Sequence, residues 1–231
     1  RVNLYVSGIQ SQSCSRVTYT KRRICVLKGS TVDISCTYGS GYDTVTSSLW
    51  FSPKQSFSWR DKLIPEDLTT DPGYAGRVEY AGEKERGRST LRITDLREED
   101  SAEYKFIFNT QTSRWGYSFP GTTLTVTDLQ VKVIPDTVTE GSWVKLTCST
   151  TCTLTEIPNP TYIWYKNGEY LFSDSSPQYH YSVSRGGSDS YSCALRDHEK
   201  LSSSKVTVGE CCDLPPEFSS LIVNRLDIFS Q

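Results

Sequence analysis

Asp95-Leu96-Arg97-Glu98-Glu99-Asp100-Ser101-Ala102-Glu103-Tyr104-Lys105-Phe106 is the stretch that decides the fold. An acidic turn, Asp100-Ser101-Ala102-Glu103, runs into Tyr104 and then into the alternating run Tyr104-Lys105-Phe106-Ile107-Phe108. Alternation with period two marks a β-strand with one buried face. A Tyr at the start of such a strand, after an acidic corner, is the tyrosine corner of a two-sheet antiparallel sandwich. Its hydroxyl bonds back to the backbone of the corner, and a core Cys follows two residues later. Here the spacing holds, but Phe106 stands in the place of that Cys.

An internal repeat is the second signal. Gly29-Ser30-Thr31-Val32-Asp33-Ile34-Ser35-Cys36 matches Gly141-Ser142-Trp143-Val144-Lys145-Leu146-Thr147-Cys148. In both, Val, Ile or Leu, and Cys fall on one face and polar residues on the other. The chain therefore holds two copies of one domain type. The fold class is all-β, with two tandem immunoglobulin-like β-sandwiches, V-set then C2-set.

In the first copy, Trp50 follows a Gly/Ser/Thr-rich loop and fits the buried Trp of strand C. Ser52 to Gly76, which includes Trp59, leaves room for extra C′ and C″ strands, the variable-type mark. Arg77 to Tyr80 fits strand D, and Ser89 to Ile93 fits strand E with Leu91 and Ile93 inward. Arg77 and Asp100 stand where V-set domains carry a structural salt bridge. After strand F a loop is expected from Asn109 to Arg114, then Trp115-Gly116-Tyr117. Gly121-Thr122-Thr123-Leu124-Thr125-Val126 reads as strand G, its Gly permitting a bulge.

The second copy follows with almost no linker. Leu129 to Val133 is strand A and Tyr162 to Lys166, with Trp164, is strand C; Asn167-Gly168 is a tight turn. Ser188 to Cys193 is an E–F corner with both Tyr191 and Cys193. The interval from Cys148 to Cys193 is too short for C′ and C″ in full, which makes this domain C2-like. The boundaries read 1–13 leader, 14–127 V-set, 128–210 C2-set and 211–231 tail, the tail expected to be mostly disordered in isolation.

Composition sets the outer limits. The formal net charge of −2 implies neither nucleic acid nor a strong membrane-surface field. Eight Cys indicate an oxidising compartment. Paired ligand spacings for zinc are missing, so neither metal nor cofactor is expected. No apolar run reaches the ~20 residues of a membrane span. With no Met, the chain reads as processed or as a fragment, a signal peptide or anchor lying outside it. No hydrolase, zinc-protease or phosphate-loop motif occurs, and His180 and His198 lack a nucleophile partner, so no enzyme is expected. Cys148 with Cys193 is the usual bridge between strands B and F. Cys25, on the last part of strand A, and Cys152, just past strand B of the second domain, are expected either to bridge or to be unrelated thiols. Cys36 should point into the core as a small hydrophobe. The pairing of Cys14, Cys36, Cys211 and Cys212 stays open.

Four stretches, KGSTVDISC at 28–36, YAGRVEY at 74–80, STLRITDLREEDSAEYKF at 89–106 and LTCSTTCTL at 146–154, resemble the sialic-acid-binding immunoglobulin-like lectins, the Siglecs. The likeness is greatest to the B-cell receptor-like members of fish, and covers about residues 14 to 208. It implies a cell-surface immune setting and a disulfide tying the first two domains, whose second-domain half Cys152 matches. In that family the strand-B Cys pairs with a strand-E Cys, and an Arg three residues after the Tyr holds the sialic acid carboxylate. Here Ser89 and Ile107 occupy those two places. Trp115 matches the aromatic that packs on the sugar's glycerol chain, and Lys105 is expected to face away from the inherited site.

The expected function is that of an extracellular recognition segment of an immune-type adhesion receptor, anchored or secreted. It would bind a cell-surface protein or sialylated glycan through the front sheet of the first domain. Candidate contacts are Arg114, Trp115, Lys105, Tyr117 and Trp59, because Trp, Tyr and Arg favour binding hot spots. The alternatives are a lectin with a rearranged site and a stiff spacer in a longer ectodomain. Membrane attachment is expected only through segments outside this chain.

Overall fold

A computed structural model describes residues 16–39, 44–54, 57–59, 62–81, 87–116, 120–135, 137–138, 141–183, 188–209 and 221–222. The side chains of 57–59, 62–64, 115, 137–138 and 221–222 lie outside this description. So do the 1–13 leader, Cys14, Tyr117, Cys211, Cys212 and most of the 211–231 tail. The chain divides into two compact units. One takes in Thr31–Asp95, Ser101–Leu124 and the described residues up to Ile24; the other takes in Cys25–Ser30, Leu96–Asp100 and the described residues from Thr125 on.

The strands up to residue 127 are β1 (Arg16–Tyr19), β2 (Arg23–Leu27), β3 (Val32–Gly39), β4 (Val45–Phe51), β5 (Phe57–Trp59), β6 (Lys62–Ile64), β7 (Val78–Ala81), β8 (Arg88–Ile93), β9 (Ala102–Thr110), β10 (Arg114–Trp115) and β11 (Thr122–Thr127). One sheet runs β1-β3-β8-β7. The other runs β10-β9-β11-β2, with β4 also on β9. This is the two-sheet sandwich that the tyrosine corner and the repeat require. Where extra C′ and C″ strands had room, β5 and β6 pair with each other as a short hairpin, followed by 3-10 turns at Leu68–Thr70 and Pro72–Tyr74.

Phe106 explains how this sandwich holds without the usual bridge. It is buried at the centre of an aromatic cluster, 4.9 Å from the Tyr38 ring and 5.3 Å from Trp50. Its own N–H donates to the Tyr19 hydroxyl at 2.7 Å. Burying such a side chain contributes about 1.5–3 kcal/mol, close to the ~2–4 kcal/mol of a disulfide. Packing therefore takes over the role of a covalent tie. Cys36 is buried and keeps a free thiol, and desolvation pushes that thiol's pKa up to about 12. Ser89 stands directly opposite Cys36 on β8 and accepts the Trp50 indole N–H at 2.9 Å. The residue that removes the strand-E Cys thus satisfies the core Trp. Tyr104 is buried, its hydroxyl 2.8 Å from that of Tyr74.

The later strands are β12 (Gln130–Ile134), β13 (Thr137–Val138), β14 (Trp143–Ser149), β15 (Tyr162–Lys166), β16 (Glu169–Asp174), β17 (Gln178–Ser182), β18 (Ser188–Leu195), β19 (Val206–Gly209) and β20 (Leu221–Ile222). Their sheets run β12-β14-β17 and β16-β15-β18-β19. A six-residue β16 follows the Asn167-Gly168 turn, so a C′ strand is formed here. Trp164, Tyr191 and the Cys148–Cys193 bridge sit in the core with Val144, Leu146 and Val208. Within the tail, Leu221–Ile222 departs from the expected disorder and pairs antiparallel with β13.

Candidate recognition face

The face follows from the parity of β9. Tyr104, Phe106, Phe108 and Thr110 point into the core, so Lys105, Ile107 and Asn109 share the opposite face. The expectation that Lys105 faces away from the inherited site is thereby corrected: residues two apart on a strand share a face. β4 runs alongside, with Leu49 opposite Ile107 and Phe51 opposite Lys105. The expected loop from Asn109 to Arg114 is also shorter. β9 continues to Thr110, whose N–H donates to the Ser113 carbonyl at 2.8 Å, and β10 opens at Arg114.

At the position where the resemblance places an Arg, Ile107 is 2% exposed. That spot is closed and apolar. Lys105, the nearer cation, has a side chain only 16% exposed, and its Nζ lies 3.8 Å from Glu103 Oε2. Glu103 also accepts the Gly121 N–H at 2.7 Å. Lys105 is thus partly covered and its charge is offset.

Arg114 differs. It stands opposite Asn109, so it belongs to the same face one strand over, diagonal to Ile107. It is exposed, and its Nε donates to Asn109 Oδ1 at 3.0 Å. Asn109 in turn donates through Nδ2 to Ser47 Oγ on β4 at 2.8 Å. A polar row therefore crosses β10, β9 and β4. It steers the guanidinium while leaving its two terminal nitrogens without a hydrogen-bond partner among the described residues. A planar fork held this way suits a carboxylate. Asn109 and Ser47 escaped the sequence reading because their role depends on cross-strand register.

Trp115 stands opposite Phe108 in the backbone register. Gly116 follows with φ of 91°, and a Cβ there would lie 2.4 Å from the Phe106 carbonyl oxygen. Only Gly lets the backbone lie so close to β9. Trp59 is on β5; its side chain, that of Trp115 and all of Tyr117 lie outside the described residues.

The remaining predicted positions are structural. Trp50 and Trp164 are fully buried. Arg77 is buried and donates to the carbonyls of Asp95 at 3.1 Å and Gly73 at 2.8 Å. Asp100 is buried and accepts the Arg97 N–H at 2.8 Å. Cys25 is bonded to Cys152 across a Cα separation of 6.2 Å. Both belong to the second unit, where the Thr155 N–H also donates to the Cys25 carbonyl at 3.0 Å. Among the described residues, no group of three His, Cys, Asp or Glu could hold a metal ion. No helix there is long and apolar enough to cross a membrane.

Two family models agree with this architecture. Residues 26–129 match the family model of the B-cell receptor CD22-like first Ig-like domain. Residues 122–209 match the immunoglobulin domain model. Among solved structures, the first Ig domain of the mouse polymeric immunoglobulin receptor is similar at 16% identity, covering 49% of this chain and 95% of that one, with a TM-score of 0.34. No curated protein matches significantly. The chain carries two immunoglobulin domains, the first of which is similar to the CD22-like model.

Proposed function

We propose that this chain is the ligand-recognition segment of an immune-type cell-surface receptor, acting on the extracellular side by binding rather than by turnover. The partner is a cell-surface protein or a glycan, met by the front face of the first domain. The observation that carries this reading is Arg114, exposed on that face and steered by Asn109 and Ser47. The CD22-like match supports the receptor setting, and two disulfides support an oxidising compartment.

The same geometry favours a second reading, in which a sialylated glycan is bound through a rearranged site. Ile107 closes the inherited position, and Arg114 offers a guanidinium about two residues further along the sheet.

The test is binding of the chain, made multivalent, to leukocytes before and after sialidase, alongside Arg114→Ala. Binding lost on both treatments supports the rearranged lectin site. Binding indifferent to sialidase but weakened tenfold or more by Arg114→Ala supports a protein partner. Binding absent throughout, or indifferent to Arg114→Ala, overturns the front-face assignment, and its complete absence favours the spacer role.

A further inference from the structure

The repeat builds the same kind of sheet twice, and the two outer faces differ in charge. On β3 and β8 the face is self-neutralised. Asp33 holds Arg92 through two hydrogen bonds of 2.8 Å, and Arg92 also lies 3.5 Å from Glu79 on β7. In the second copy the motif places Lys145 where the first has Asp33, and Trp143 where the first has Thr31. The buried face of that motif is kept, with Val144, Leu146 and Cys148 inward. The change is therefore confined to the outer surface, where packing does not require it.

Register assembles these outer residues into one patch. Lys145 stands between Ile134 on β12 and His180 on β17. Lys132 is diagonal to Lys145, and Trp143 is the next outward residue on β14. Trp143 is 71% exposed and Ile134 50%. Strands β12, β14 and β17 contain no Asp or Glu. Lys132 and Lys145 make no ion pair with any described residue. Opposed residues on neighbouring strands lie about 5 Å apart and same-face residues along a strand about 7 Å apart. Two lysines and a histidine thus sit within one small area beside an exposed indole.

We infer that this outer face of the second domain is a binding site for a sulfated or carboxylated glycan chain. Among the described residues of this face the charge is of one sign, and neither lysine has an ion-pair partner. The indole supplies a platform on which a sugar ring stacks. Gln178, at the edge, adds a side-chain amide for sugar hydroxyls, which a lipid surface would not need. The site is separate from the Arg114 face and does not depend on it. Because the chain as a whole carries a formal charge of −2, retention by a polyanion demands a local cationic patch rather than general basicity.

The test uses the full chain on immobilised heparin, with binding measured across a NaCl series. The parent is expected to be retained at 0.15 M salt. Lys132→Gln/Lys145→Gln should lower affinity tenfold or more and reduce the slope of log affinity against log salt by about one per lysine in contact, as counterion release dictates. Trp143→Ala should weaken binding several-fold and leave that slope unchanged. Lys200→Gln, at an exposed lysine outside β12, β14 and β17, should bind heparin like the parent. Far-UV circular dichroism and non-reducing electrophoresis verify that each variant is folded. The inference is overturned if the parent is not retained, or if the double lysine variant and Trp143→Ala elute with the parent. It is equally overturned if phosphatidylserine vesicles capture the chain and heparin does not compete.

Discussion

Ser89→Cys should close a new bridge onto Cys36. The two positions are directly opposed on β3 and β8, and both are buried. Opposed residues of an antiparallel pair have Cα atoms about 4.5–5.5 Å apart, inside the ~4.4–6.8 Å range that disulfides take. A bridge closing a loop of roughly 50 residues stabilises by about 4 kcal/mol on the chain-entropy estimate. Against this stands the lost Trp50–Ser89 hydrogen bond, because a buried N–H left unpaired costs about 1–3 kcal/mol. Ser89→Ala bears the same loss without a bridge and is the proper reference. The oxidised Cys variant should therefore lie about 4 kcal/mol above Ser89→Ala and about 1–3 kcal/mol above the parent. Urea unfolding followed by Trp fluorescence, with peptide mapping under non-reducing conditions, reads both quantities. At an m-value of about 2 kcal/mol/M the separation from Ser89→Ala is about 2 M in midpoint. If the introduced thiol stays free, or if the oxidised variant unfolds together with Ser89→Ala, then Cys36 does not face the site the β3–β8 register assigns to it.

Three further predictions follow from the same packing. Phe106→Ala should destabilise the first domain by about 3–5 kcal/mol, measured by urea denaturation, since among the described residues no disulfide backs up the aromatic cluster; a loss under 1 kcal/mol would show that Phe106 does not replace the bridge. Gly121→Ala should disrupt the β9–β11 ladder, because the new Cβ would sit 2.1 Å from the Tyr104 carbonyl oxygen; amide exchange near Tyr104 unchanged from the parent would refute this. Asp189 is hydrogen-bonded to Lys166 at 2.9 Å and to Asn167, and the Lys166 contact holds its carboxyl pKa below the usual value. A depressed folded pKa stabilises above the unfolded value, near pH 4, and the gain disappears as pH falls through the folded value. Asp189→Asn should thus differ from the parent at pH 7 and converge with it in urea midpoint as pH falls through the folded value, whereas a gap independent of pH would contradict the assignment.

Local patterns carried the fold. The acidic corner before Tyr104, the alternation through Phe108 and the G-S-x-V-x-[I/L]-[S/T]-C repeat each specify a strand and its buried face within a few residues, because side-chain direction alternates with period two. These patterns were enough for two sandwiches and for the missing strand-F Cys. The parity of Lys105 and Ile107 was also legible, and the structure only enforces it. Cross-strand register was not legible, since it depends on hydrogen bonding between segments far apart in sequence. Tertiary structure alone sets Ser89 against Cys36 while its hydroxyl takes the Trp50 N–H, and draws the Tyr19 hydroxyl onto the Phe106 N–H. It also lines up Arg114, Asn109 and Ser47 across three strands. Lys132, Lys145 and His180 show the same limit. Each reads in sequence as an ordinary solvated residue, and only the pairing of β12, β14 and β17, strands that contain no Asp or Glu, gathers them beside Trp143. A single strand can announce which of its sides is buried, but what an exposed side chain meets is decided by the neighbour the sheet brings to it.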